Sequence, residues 1–296
     1  MALTRVTEGM VGRLSLAASQ DGLVKLARLQ ERLTTGRVLN RPSDSPVDTT
    51  TSLRLRDAVA MNQQHQRNAQ DAQGWMGTVD AALASVTEQT RQARDVALQG
   101  GSSAAMGQAA RDALASTVDG LRSSLLATAN TTLLGRPVFG GTTAGEAAYA
   151  QDGSYVGDGG AVLRTVGPQE QVRVDVDGAS VFGAAGNTVF DHLTALSTAL
   201  RAGDEAGVRT GIGALNRDLE QVTTSRAEMG TRQARVEAAV SATAARELDL
   251  RSSLSSVEDA DLPETIIDLK LQEAAYQAAL GATARVLQPS LMDYLR

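Results

Sequence analysis

The stretch that decides the fold is the last one, Pro263–Arg296, which reads PETIIDLKLQEAAYQAALGATARVLQPSLMDYLR. Its larger apolar residues recur at separations of 3, 4 or 7 and therefore share one stripe of a helix. These residues, with the one just before the stretch, are Leu262, Ile266, Leu269, Tyr276, Leu280, Leu287, Leu291 and Leu295. Asp261, Pro263 and Glu264 predict the helix start. A helix from there to Leu295 is about 50 Å long, and its uncapped apolar stripe needs a partner.

The other end of the chain carries a similar pattern. The first apolar residues with helical spacing are Leu3, Val6, Met10 and Leu14, and a second series follows at Leu16, Leu23, Leu26 and Leu33. Gly36 then stands where a helix stop is expected. We therefore expect the two ends to pair with each other and with copies of the same chain.

The loop after Gly36 is rich in turn-forming residues, namely Asn40, Pro42, Ser43, Asp44 and Pro46. Two prolines four residues apart exclude a continuous helix through it. The apolar spacing then predicts a helix from Leu53 to Gly100 and a shorter one that ends near Asn130. A patch rich in Asn and Gln at 62–73 has two interpretations, a solvated helix face or an interface between subunits.

The spacing of the apolar residues changes from helical to strand periodicity in the middle of the chain. Residues 172–176 alternate with period 2 into an Asp177-Gly178 turn, and 162–166 is a weaker strand. Helical spacing returns at Phe190, pauses at Gly203 and resumes after Gly213. Residues 215–257 then follow a single 4-3 register, as in a coiled-coil arm. The apolar members of that register are Leu215, Leu219, Val222, Met229, Val236, Val240, Leu250, Leu254 and Val257, with Arg226, Gln233, Thr243 and Glu247 in the other positions.

These patterns predict a mainly α protein, a long antiparallel helical bundle or coiled coil formed by the N- and C-terminal segments. A small β-rich domain is inserted in the middle of the chain. We divide the chain into terminal helices at 1–35 and 262–296, a helical bundle domain at 36–134 and 187–261, and a β-rich outer domain at 135–186.

Composition narrows the classes of function. The chain is 42% hydrophobic but only 3% aromatic, which suits helix packing better than a ligand pocket. A net charge of -6, with no aromatic residues interleaved with Lys or Arg, argues against nucleic acid as a partner. No run of about 18 apolar residues appears, so we expect no membrane contact. The absence of cysteine excludes disulfides, thiolate metal sites and a cysteine nucleophile.

Catalytic motifs are missing as well. His65 and His192 each lack a second His or a carboxylate pair at ligand spacing, so we interpret them as surface or packing residues. The sequence at 175–178 lacks the later ligands of a calcium loop, and 157–160 lacks the helix of a phosphate loop. No nucleophile motif is present. We therefore expect no enzyme activity, no catalytic residue, no cofactor and no metal.

Several motifs resemble a known family. Thr34–Asn40 (TTGRVLN), Asn68–Asp71 (NAQD) and Ala82–Gln99 resemble, in that order, the N-terminal helical region of bacterial flagellins. The C-terminal helix resembles their C-terminal region. Within that superfamily, Asn40–Pro46 (NRPSDSP) is similar to the Asn-Pro-Ser-Asp-Asp-Pro loop of the flagellar hook-associated protein 3 family, where flagellins usually lack the prolines. Gly135–Gly141 resembles the Gly-x-Tyr-x-Phe-x-Gly segment of the same family.

The sequence departs from that pattern at two points. Arg41 is an insertion in the loop, and Arg136-Pro137 replaces the expected aromatic position. These departures leave the geometry of the loop open.

The resemblance implies a structural, non-enzymatic adaptor of the bacterial flagellum, located at the junction of hook and filament. The terminal helices would form the inner axial tube, and the β-rich insert would face outward. Expected partners are copies of the same chain, hook-associated protein 1, flagellin and an export chaperone. Since charged residues interrupt residues 1–20, we expect secretion by flagellar type III export without a cleaved signal.

The residues expected to form the assembly interface are the two terminal stripes and the turn residues of the loop. They are Leu3, Val6, Met10, Leu14, Gly36, Asn40, Pro42, Asp44, Pro46, Leu262, Ile266, Leu269, Tyr276, Leu280, Leu287, Leu291 and Leu295. An intramolecular core is the alternative role for the same leucines. For the whole protein, the alternatives are a short flagellin that forms the filament itself and a cytoplasmic coiled-coil scaffold. The scaffold would explain the heptads but not the ordered motifs.

Overall fold

The computed structural model describes residues 8–101 and 106–286. In chain order its elements are α1 (Glu8–Thr35), α2 (Pro46–Gln99), α3 (Gln108–Ala129), β1 (Thr132–Leu133), β2 (Arg136–Pro137), β3 (Leu163–Gly167), β4 (Glu170–Arg173), α4 (Gly178–Phe182), α5 (Val189–Ala202), α6 (Glu205–Glu258) and α7 (Leu262–Val286). The predicted fold class is confirmed, because long helices from both ends of the chain dominate and the small sheets lie in the middle.

The chain forms two compact units. One comprises Met1–Ala60 and Leu248–Arg296, and the other comprises Met61–Glu247. The long helices α2 and α6 therefore each contribute residues to both units. The division into three segments that the sequence suggests stays a prediction.

In the unit Met61–Glu247, the core combines helix faces with an aromatic cluster from the middle of the chain. The cluster consists of Phe139, Tyr149, Tyr155, Phe182 and Phe190, whose neighbouring ring centroids lie 5.1 to 5.7 Å apart. Edge-to-face and tilted contacts of this kind add to the free energy of burial. The antiparallel pair β1–β2 precedes this cluster in the sequence, and the antiparallel pair β3–β4 lies between Tyr155 and Phe182.

The prediction of a hairpin turn at Asp177-Gly178 is wrong. The Asp177 side chain accepts the Ala179 N–H and caps α4, so the chain enters a helix there. The strand is also shorter than predicted and ends at Arg173. One reason is that the Asp175 carboxylate accepts the Val162 N–H at 2.7 Å and so replaces a backbone acceptor.

The predicted helix restart after Gly213 is also wrong, since α6 begins at Glu205. Gly203 ends α5 in the left-handed conformation (φ 69°), and the Asp204 carboxylate accepts the Ala206 N–H at 3.0 Å. A Cβ on Gly211 would lie 3.1 Å from Leu196, so this glycine allows close packing of α6 on α5. Gly211 therefore has a packing role, whereas Gly213, where the restart was predicted, lies inside α6 with no atom within 4 Å of a Cβ placed on it.

The 4-3 register of α6 is half correct. The positions seven apart are buried as predicted, namely Leu215, Val222, Met229, Val236 and Thr243. The second buried row is Asp218, Ser225 and Ala239, one residue before the predicted row of Leu219, Arg226 and Val240, which are half-buried. Small or hydrogen-bonded side chains fit where the helix packs closely, and the longer ones lie at the edge.

The polar patch on α2 is a solvated helix face in part, since Gln64 and Gln70 are exposed, and its role as a subunit interface stays a prediction. Asn62 is buried and its side-chain N–H donates to the Thr243 carbonyl at 2.8 Å. Further along, the Asn68 amide donates to the Thr165 carbonyl at 2.8 Å. Asn62 and Asn68 therefore satisfy backbone groups within their own unit, unlike the exposed amides of the patch.

Candidate assembly interface

Helices α1 and α7 pack side by side in the unit that holds both ends of the described chain. The Gln272 side chain donates to the Gly22 carbonyl at 3.4 Å, and a Cβ on Gly22 would lie only 3.2 Å from the Tyr276 ring. Ala18 lies near Ala279, whereas later residues of α1 lie near earlier residues of α7. The two helices are therefore antiparallel.

The contact between them is a narrow seam. Its half-buried positions alternate in steps of 4 and 3 on each helix, the spacing of a coiled coil. They are Ser15, Ser19, Gly22, Leu26 and Leu29 on α1, and Leu269, Gln272, Tyr276, Ala279 and Thr283 on α7. Small and polar residues hold most of these positions, so the seam buries little apolar surface.

Apart from the four large apolar residues in the seam, many large apolar side chains of the pair are exposed to solvent. They are Met10, Leu14, Leu16, Leu23, Leu262, Ile266, Ile267, Leu271 and Leu280, each with 44% to 69% of its surface exposed. On α7, Leu262, Ile266 and Leu280 lie on one flank, because steps of 4 and 14 residues return close to the same angle at 100° per residue. An apolar flank of this kind is typical of an interaction surface.

The structure separates the residues that the sequence placed on a single stripe. Leu269 and Tyr276 lie in the seam, whereas Leu262, Ile266 and Leu280 are exposed, as are Met10 and Leu14. Some predicted residues lie outside the described parts of the chain, namely Leu3, Val6, Leu287, Leu291 and Leu295. The interface role of the whole set stays a prediction.

The loop that follows α1 is paired with the connection between α6 and α7. Gly36 adopts the left-handed conformation (φ 68°), and its N–H donates to the Arg32 carbonyl at 2.8 Å. The Val38 N–H donates to the Glu258 carbonyl at 2.7 Å, and the Ala260 N–H donates to the Gly36 carbonyl at 2.9 Å. The two connections are thus held together as a short antiparallel ladder.

Asp44 and Asn40 hold the loop in shape from within. The Asp44 carboxylate accepts the backbone N–H groups of Arg41 at 2.8 Å and Asn40 at 3.2 Å. The bond from Arg41 is the main cause that lowers the pKa of Asp44 below its ordinary value. The Asn40 side chain donates to the Arg37 carbonyl at 3.0 Å. Both predicted polar residues therefore act inside the loop.

The two prolines have different positions. Pro42 is exposed within the turn, whereas Pro46 is the first residue of α2. Ser45 stands before it, and its hydroxyl accepts the Asp48 N–H at 3.3 Å. The chain thus uses proline where a helix tolerates it and a serine as the N-cap.

Glu258 is a structural residue that the sequence did not reveal. Its side chain is 5% exposed, accepts a hydrogen bond from the Ser52 hydroxyl, and accepts two from the Arg56 guanidinium at 2.7 and 2.8 Å. The Arg56 bonds are the main cause that lowers the pKa of Glu258. A lone Glu at the end of a helix carries no local signal of such partners, because they lie about 200 positions away.

The described residues contain no cluster of three or more His, Asp or Glu side chains that could hold a metal ion. His192 is half-buried, and its Nδ1 lies 2.8 Å from the Asp218 carboxylate, a partner that the sequence did not reveal. The Nε2 atom of the same ring lies 3.1 Å from the Asn187 side-chain oxygen.

Among the helices of the described ranges, none is both long and apolar enough to cross a membrane.

Two family models match the chain. The bacterial flagellin N-terminal helical region matches residues 10–142, and the bacterial flagellin C-terminal helical region matches residues 212–295. The matched ranges include α1 from residue 10 onward, the loop after it, and the whole of α7. The middle of the chain lies between them.

Curated relatives and a solved structure agree with this match. The chain is 28% identical to flagellar hook-associated protein 3 of Escherichia coli (strain K12), over 85% of this chain and 87% of the relative. It is 23% identical to the protein of the same name from Salmonella typhimurium, over 93% and 94%. A putative flagellar hook-associated protein from Vibrio parahaemolyticus has the same fold, with a TM-score of 0.68 at 20% identity over 73% of this chain and 100% of that one.

Proposed function

Because this chain belongs to the bacterial flagellin family and is a structural component of the flagellum, we propose that it is the junction protein between hook and filament. It would connect hook-associated protein 1 on the hook side to flagellin on the filament side. The name shared by its curated relatives supports this role.

The observation that carries the proposal is the position of the large apolar residues on α1 and α7. A stable isolated helix pair places such residues in its seam, but here the seam is mostly small and polar. Full burial of a Leu or Ile side chain contributes about 1.5 to 3 kcal/mol, so a half-exposed one leaves about 1 kcal/mol unused. In a symmetric axial assembly, the neighbours of each subunit can bury these side chains.

The same surface accounts for the proposed partners. Copies of this chain, hook-associated protein 1 and flagellin would cover the apolar flank of Leu262, Ile266 and Leu280 after assembly. Before export, a chaperone would cover the C-terminal stripe, because an uncovered stripe favours aggregation. The protein would then act outside the cell, by packing alone and without catalysis.

The direct test is deletion of the gene, followed by electron microscopy of the cells and an assay for flagellin in the medium. The proposal predicts hooks without filaments and flagellin released as monomer. Normal filaments in the deletion strain would overturn it. Immunogold labelling of the wild type separates the nearest alternative, since a flagellin is labelled along the whole filament and a junction protein only at its base.

A further inference from the structure

The side of the α1–α7 pair opposite its apolar flank is charged. On α1, three cations recur at steps of 3 and 4 and so share one face; this basic row consists of Lys25, Arg28 and Arg32. None of the ion pairs formed by residues of the described ranges includes any of the three. Within the described residues, the basic row therefore forms no salt bridge, although the charge of Arg28 helps to lower the pKa of the Asp44 carboxylate.

Helix α7 and its cap carry three carboxylates with the same spacing. This acidic row consists of Asp261, Glu264 and Asp268, and all three are exposed. Asp261 uses one oxygen to accept the Glu264 N–H at 3.1 Å, and neither Glu264 nor Asp268 takes part in the ion pairs of the described chain. Each row extends over seven residue steps, which is about 10 Å along a helix axis.

Both rows lie on the same side of the helix pair. Asp268 lines one groove together with all three members of the basic row, next to Leu29 and Leu271. Glu264 lies one turn before Asp268 and shares its face. Despite this proximity, no nitrogen of the basic row lies within 4.0 Å of a carboxylate oxygen of the acidic row.

A surface that carries two rows of equal length and opposite sign is complementary to a copy of itself. We propose that this charged side binds a second copy of the chain, with the basic row of one molecule opposite the acidic row of the next. This inference rests on the proposed axial assembly and names the contact that sets its register.

The rows act through specificity more than through affinity. Each exposed ion pair contributes only about 0.2 to 1 kcal/mol, whereas a register that brings like charges together is disfavoured. The apolar flank on the other side of the pair remains free to supply affinity. The apolar flank would thus supply the affinity between neighbouring molecules, and the charged side would set their register along the helix axis.

Charge reversal tests the pairing between copies. In the deletion strain we would express Arg28→Glu/Arg32→Glu, Glu264→Arg/Asp268→Arg, or both variants together from separate genes. We expect each variant alone to give about tenfold fewer filaments, because its two rows then repel. Co-expression should restore filaments, since the altered row of one chain then faces the altered row of the other. Loss in each single strain without recovery in the mixture would overturn the proposal, as would normal filaments in the single strains.

Cysteine cross-linking gives a second readout that needs no charge change in a whole row. The chain has no cysteine, so one chain with Arg28→Cys and one with Glu264→Cys can only form disulfides between molecules. One of the two chains is tagged, and disulfide-linked heterodimers are measured in flagella from cells that express both. The control replaces Arg28→Cys by Leu98→Cys. We expect about fivefold more heterodimer than in this control, because a disulfide needs Cα atoms within about 7 Å. Heterodimers at the control level would overturn the pairing.

The two inferences fail in different ways. If the junction function is wrong, the strain that lacks the gene makes normal filaments. If only the charged contact is wrong, that strain still lacks filaments, while the cross-link stays at the level of the control. A charge-reversal variant that is not exported leaves the cross-link as the deciding measurement.

Discussion

Arg56 and Glu258, 202 positions apart in the sequence, are joined by two parallel hydrogen bonds, Nε to Oε1 at 2.7 Å and Nη2 to Oε2 at 2.8 Å. The pair links the third turn of α2 to the last residue of α6. It lies beside the short ladder in which the Val38 N–H donates to the Glu258 carbonyl. The ion pair thus holds the two connections that lead to α1 and α7.

Replacement of Arg56 by Ala should weaken the contact between α2 and the end of α6. The Glu258 carboxylate would keep Ser52 but lose its two-point partner in a largely buried position, and we expect a loss of about 1 to 3 kcal/mol in the free energy of unfolding. Urea unfolding measures the loss, and faster hydrogen exchange of the Val38 amide locates it. Arg54→Ala is the matched control, because Arg54 is exposed and takes no part in the ion pairs of the described chain. Equal effects of the two substitutions would contradict this role.

The same carboxylate predicts a dependence of stability on pH. Arg56 holds the pKa of Glu258 below its ordinary value of 4.5. A lowered folded-state pKa stabilises the fold above the unfolded-state value, and that contribution is lost as the pH falls through the folded-state pKa. The difference in unfolding free energy between wild type and Glu258→Gln should therefore be constant from pH 7 to about pH 5 and shrink below it. A difference that grows on acidification would show the sign to be wrong.

Gly22 sets how closely α1 approaches α7. A Cβ there would lie 3.2 Å from the Tyr276 ring, so Gly22→Leu should push the helices apart and cost about 1 to 3 kcal/mol by overpacking. Hydrogen exchange of the α1 amides reports the change. Gly120→Leu in α3 is the control, since no atom lies within 4 Å of a Cβ at that position, and the better helix propensity should make it neutral or slightly stabilising. Unchanged protection of α1 in Gly22→Leu would argue against the close seam.

The buried amide of Asn62 should stabilise the unit Met61–Glu247. Asn62→Ala removes the bond to the Thr243 carbonyl, and we expect a loss of about 1 kcal/mol in the free energy of unfolding. Gln70→Ala tests an exposed position of the same patch and should change stability by less than about 0.5 kcal/mol. If the two variants unfold alike, the patch is a solvated face after all.

Helical periodicity predicted most of the fold because large apolar residues mark it clearly. The end of α1 was predictable from Gly36, where a left-handed backbone restricts the residue type, whereas α2 begins at Pro46, seven residues before the predicted start at Leu53, because proline is tolerated at the first helical position. The pairing of α1 with α7 was predictable from Leu26, Leu269 and Tyr276, but the small and polar positions of the seam were not, since Ser15, Gly22 and Thr283 carry little hydropathy signal. The hydrogen bonds of Glu258 and Asn62 could not be predicted either, because their partners lie about 200 positions away in the sequence.

The measurement that tests the central claim most directly is complementation of the deletion strain by Ile266→Asp/Leu280→Asp. Both side chains are about half exposed on the apolar flank of α7, so the chain should fold and be exported. Leu98→Asp, at a similarly exposed position of α2, is the matched control. We expect the control to restore filaments, and the double variant to leave bare hooks and flagellin in the medium. Normal filaments with the double variant would contradict the claim that this flank assembles the junction.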